Sequence, residues 1–94
     1  MKRNAIDDVT RFDLALMLNE LISRGFILPI HIVAIGANGS LFAGTFKPPL
    51  GLTPTAEHFV DDFFKAPLNV IFVGSDGDAA RAVIGTDGEK KWAH

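Results

Sequence analysis

The chain has 94 residues, 48% of them hydrophobic before its nine glycines are counted, and a net charge of −2. That length suits one domain, and that composition excludes a disordered chain, which needs low hydrophobicity and high net charge. With no cysteine, disulfides, thiolate metal sites and cysteine nucleophiles are excluded. Nine basic against eleven acidic residues leave no electrostatic footprint for nucleic acid.

The longest apolar run, Phe26 to Ala37, is broken by Pro29 and His31 and falls well short of the ~20 residues that span a bilayer. Lys2 and Arg3 near the start are not followed by an apolar signal core. The expectation is a cytoplasmic protein with no membrane segment and no cofactor.

In chain order, Asn4 is a candidate N-cap with Asp7 three residues on, and nothing breaks a helix before Gly25. Ile27 to Ile35 is rich in β-branched residues and apolar on both faces, the pattern of a central strand. Asn38-Gly39 then predicts a two-residue hairpin, both positions tolerating positive φ. That turn sets Ala37 against Ser40, Ile35 against Phe42, Val33 against Gly44 and His31 against Phe46, with the second strand over Ser40 to Phe46. Lys47 to Thr53 reads as a loop around Pro48 and Pro49.

Thr53-Pro54 has the form of a helix start, a side-chain cap followed by proline. Ala56, Phe59, Val60, Phe63 and Phe64 then fall on one side at helical spacing, and Pro67 closes the helix near Ala66. Strands follow over Val70 to Ser75 and Ala79 to Gly85, joined at Asp76-Gly77. A last short strand, Lys90 to Ala93, follows Asp87-Gly88. An offset of 38 residues lays Ile32–Ser40 over Val70–Asp78 and Pro29 over Pro67. A duplicated helix-hairpin unit would explain this, but hairpin chemistry alone also demands apolar flanks around Asx-Gly, and the simpler reading is preferred.

Few residues offer chemistry. His58 and Asp62, four apart on the expected second helix, could share a metal or work as an oriented base, beside Glu57 and Asp61. A metal needs three or four ligands and no second such pair occurs, so a solvated face with local ion pairs is expected there. Asp76, Asp78 and Asp87 lack the spacing of a calcium loop, and Asp76 and Asp87 suit turns. Gly36, Gly39 and Gly44 lead into a strand rather than a helix, which excludes a dinucleotide loop. Neither Ser40 nor Ser75 stands in a nucleophile elbow. His31, in the most apolar strand, and Arg81, opposite Phe72, remain as candidate ligand-binding residues.

The first helix is the most informative element. At 100° per residue, Leu14, Ala15, Leu18, Leu21 and Ile22 form one stripe that can pack on a sheet. Val9, Phe12 and Leu16 form a second stripe on nearly the opposite side, the expected interaction surface of a homodimer or of a complex with another protein.

The expected architecture is α+β: a mainly antiparallel five-stranded sheet with two helices on one face, in the order α-β-β-α-β-β-β. With the Asn38-Gly39 hairpin, this order resembles roadblock-type domains, small cytoplasmic modules that dimerise and serve as platforms for regulating GTPases. The resemblance implies a non-catalytic, self-associating interaction or regulatory module. The order also fits a trimmed sensory domain of the PAS or GAF kind, which would hold an apolar ligand near His31 or Arg81. An enzyme using His58 with Asp62 is the third class.

Overall fold

The computed structural model describes residues 8–60 and 64–93, with side chains from Arg11 onward. The class is α+β, with one antiparallel sheet and, among the described residues, one helix. The elements are α1 (Asp8–Ser23), β1 (Ile30–Ile35), β2 (Leu41–Lys47), β3 (Gly51–His58), β4 (Leu68–Val73), β5 (Ala79–Ile84) and β6 (Lys90–Ala93). The six strands are arranged β3-β2-β1-β4-β5-β6.

The expected second helix is the main correction. Residues 51–58 form β3, an edge strand, while Asp61, Asp62 and Phe63 lie outside the described residues. Pro54 cannot donate to a sheet ladder, and edge strands are where proline is tolerated. The register with β2 also shifts between Ala43 and Gly44, a bulge that absorbs one extra residue beside the proline. Among the described residues the element order is therefore one helix followed by six strands, and the order on which the roadblock resemblance rested is replaced.

The hairpins also differ from expectation by one residue. His31 stands opposite Thr45, Val33 opposite Ala43 and Ile35 opposite Leu41, while Arg81 faces Ile71 rather than Phe72. A two-residue turn would need positive φ at both Asn38 and Gly39, but only Gly39 has it, at 86°. The loop instead holds three residues. Gly36 N–H donates to the Ser40 carbonyl at 2.8 Å, and Gly39 N–H donates to the Gly36 carbonyl at 3.0 Å. Asn38 Oδ1 accepts from Ser40 N–H at 3.3 Å and lies 2.9 Å from where a Cβ on Gly36 would be. The motif thus requires glycine at both ends.

This motif occurs three times. Gly74 to Asp78 and Gly85 to Glu89 repeat its closing bonds, its Asx side-chain acceptor and its glycine φ, 95° at Gly77 and 83° at Gly88. The offset of 38 residues then extends through the sheet. β1 maps onto β4 and β2 onto β5 with the same pairing register. Val33 maps onto Ile71, and these two pair directly at the centre of the sheet. A local two-fold axis therefore passes between them, relating two three-stranded meanders. The lead-in segments obey it too: Ala37 N–H donates to the Lys65 carbonyl at 2.7 Å and Ser75 N–H to the Ile27 carbonyl at 3.0 Å. Each meander latches the other's turn. Hairpin chemistry does not account for these latches, so the repeat is a property of the whole sheet.

The core lies between α1 and one face of the sheet. Leu14, Met17, Leu18 and Leu21 pack with Ile30, Ile32, Ala34, Phe42, Leu68, Val70, Phe72, Ala82 and Ile84. Met17 takes the place expected for Ala15, which is exposed. Each large side chain fully buried here contributes roughly 1.5–3 kcal/mol. Gly44 makes room for the buried Phe42 ring, whose atoms lie 2.9 Å from where a Cβ would stand.

Candidate functional site

Three surfaces remain. On the outer side of α1, Phe12 is 62% and Leu16 45% exposed, as the second stripe requires. The Val9 side chain lies outside the described residues. The two exposed side chains are four apart and so adjacent along the helix, while Leu14, Met17, Leu18 and Leu21 hold the opposite side to the sheet.

The second surface is the sheet face opposite α1. Alternation along β1 and β4 sends His31, Val33 and Ile35, with Asn69, Ile71 and Val73, to this face. Ile35 is 40% and Ile71 38% exposed, at positions in the two central strands. The sequence pattern of β1, apolar on both faces, predicts a central strand, and β1 stands at the centre of the sheet beside β4. The single described helix covers one face only.

His31 and Arg81 both stand on this open face and both are exposed. His31 Nδ1 lies 3.1 Å from Thr45 Oγ1, its neighbour across the strand pair. Arg81 sits two strands away and two residues along, so the two are separated by roughly 10 Å or more and do not converge on one site. His58 closes β3 at the sheet edge and is exposed. Its expected partner Asp62 lies outside the described residues. Among the described residues no three potential metal ligands cluster.

The third surface went unnoticed in the sequence. A cavity of about 230 Å³ opens between α1 and the β2–β3 hairpin, lined by Arg11, Ala15, Leu18, Phe46, Gly51 and Leu52. The sequence predicts a loop over Lys47 to Thr53. In the structure its second half begins β3 and forms one wall of this groove instead.

The other flank of α1 is closed. Lys90 Nζ pairs with Asp13 Oδ1 at 3.0 Å, and the Arg24 guanidinium lies 5.1 Å from the Trp92 ring centroid. Trp92 also packs on Phe72 with ring centroids 5.7 Å apart. The described helix is not long and apolar enough to cross a membrane. Comparison of the chain with protein-family models, curated proteins and solved structures finds no match.

Proposed function

We propose that this chain is a non-catalytic, self-associating interaction module that forms a two-fold symmetric dimer through the outer stripe of α1. The observation that carries this reading is the exposure of Phe12 and Leu16, at 62% and 45%, on a helix whose opposite side is fully committed to the core. Complete burial of such side chains contributes roughly 1.5–3 kcal/mol each. Association costs several kcal/mol, so neighbouring helix surface, with Val9 one turn earlier, must join the contact. A two-fold dimer supplies each side chain twice, and it is the commonest closed assembly.

The test is light scattering on a Phe12→Glu/Leu16→Lys double variant. A folded monomer is expected, with circular dichroism unchanged from the parent. A variant that remains dimeric while Ile35→Lys/Ile71→Glu becomes monomeric would move the interface to the open sheet face. A Phe12→Glu/Leu16→Lys variant that unfolds would show that the stripe belongs to the core.

A further inference from the structure

We propose that Asn38 is a site of spontaneous deamidation, a modification that the folded β1–β2 turn restrains and whose two products the turn tells apart. In Asn38-Gly39 the backbone nitrogen that attacks the side-chain amide belongs to glycine, which puts no side chain in the path. Asn4, Asn19 and Asn69 are followed by Ala5, Glu20 and Val70, each with a Cβ beside the attacking nitrogen. Asparagine is a thermolabile residue, and this chain concentrates that lability at one turn.

The reaction needs water alone. Gly39 N gives its proton to solvent and attacks Asn38 Cγ. A C–N bond forms, the Cγ–Nδ2 bond breaks, and Nδ2 takes a proton from solvent and leaves as ammonia. Water then opens the resulting cyclic imide. Attack at the former Cγ breaks the new C–N bond and gives aspartate. Attack at the backbone carbonyl carbon breaks the original bond to Gly39 and gives isoaspartate, in which the main chain runs through the side chain.

The folded turn opposes the first step. Gly39 N–H donates to the Gly36 carbonyl at 3.0 Å, so the proton that must leave is engaged. Asn38 Oδ1 accepts from Ser40 N–H at 3.3 Å, which holds the amide over Gly36. The segment after β3 braces the same turn: Val60 N–H donates to Ser40 Oγ at 3.3 Å, and Ala37 N–H donates to the Lys65 carbonyl at 2.7 Å. Deamidation therefore waits on local opening of the turn.

The other two turns show which product fits. Asp76 and Asp87 occupy the place of Asn38 and accept from Asp78 N–H at 3.2 Å and Glu89 N–H at 2.9 Å. Aspartate at position 38 keeps that acceptor and adds a negative charge. Isoaspartate lengthens the backbone by a carbon atom and breaks both closing bonds. The seat of Val60 and Lys65 is lost with them.

The experiment follows the full chain by peptide mapping and mass spectrometry at mildly alkaline pH, folded and in urea. Conversion at Asn38 is expected in both, roughly tenfold or more slower in the folded chain because opening precedes reaction. Asn4, Asn19 and Asn69 should stay unconverted over the same period. Labelling by an isoaspartyl methyltransferase identifies the isoaspartate fraction. Asn38→Asp should keep the parent's slow amide exchange at Ala37 and Val60, and the isolated isoaspartate fraction should lose it at both. Equal rates in the folded chain and in urea, or earlier conversion at another asparagine, would overturn the proposal. So would fast exchange in Asn38→Asp or preserved protection in the isoaspartate fraction.

Discussion

The two meanders share registers, turns and latches, and they differ in where their bulk sits. In β1–β2 the paired core residues are Ala34 and Phe42; in β4–β5 they are Phe72 and Ala80. The 38-residue offset maps Ala34 onto Phe72 and Phe42 onto Ala80, so each hairpin carries one large and one small side chain, on opposite strands. Backbone geometry therefore follows the repeat while side-chain volume is distributed to fill one continuous core, as close packing requires. The outer strands differ further. β6 is tied to α1 through Lys90 and Trp92, whereas β3 carries Leu52 and Pro54 at the equivalent positions and leaves a groove. The helix is held from one side.

This comparison can be broken at the core first. Phe42→Ala and Phe72→Ala should each cost about 3–5 kcal/mol, because both rings are fully buried at complementary positions. Chemical denaturation of the two variants measures this. A cost below 1 kcal/mol at either site would mean that the meanders do not share one core.

The turns give a smaller and more symmetric effect. Gly39→Ala and Gly77→Ala should each cost about 1–2 kcal/mol, since a Cβ at either site meets no crowding and only the positive φ is strained. Equal shifts in denaturation midpoint are expected. A loss at one turn with none at the other would separate the two hairpins.

The smallest effect concerns the tie to β6. A double-mutant cycle on Asp13→Ala and Lys90→Ala should give a coupling of about 0.5–1 kcal/mol that fades at high salt, the behaviour of a partly exposed ion pair. Zero coupling at low salt would leave Trp92 as the contact that holds this flank.

How much of this was legible in the sequence depends on the element. The three Asx-Gly turns, the antiparallel hairpins and the second apolar stripe with Phe12 and Leu16 could all be read there. The register could not. Asn38-Gly39 reads as a two-residue turn, but the Asn38 side chain folds back over Gly36 and adds one residue to the loop. That single residue moves Phe42 and Phe46 from the face of His31 to the core face. Thr53-Pro54 was misleading because a cap and proline also suit the bulged edge of a sheet. The 38-residue repeat, carried one strand further, lays residues 52–55 over the strand Lys90–Ala93 and contains the better answer. The groove was invisible for a different reason: it arises from what Pro54 and Ala15 lack across three elements distant in sequence.

Self-association is the proposal on which the functional reading rests, and sedimentation velocity of the unmodified protein tests it most directly. A species of twice the 10.2 kDa chain mass, growing with concentration across the micromolar range, is the predicted result. A single monomeric species at high micromolar concentration would contradict it.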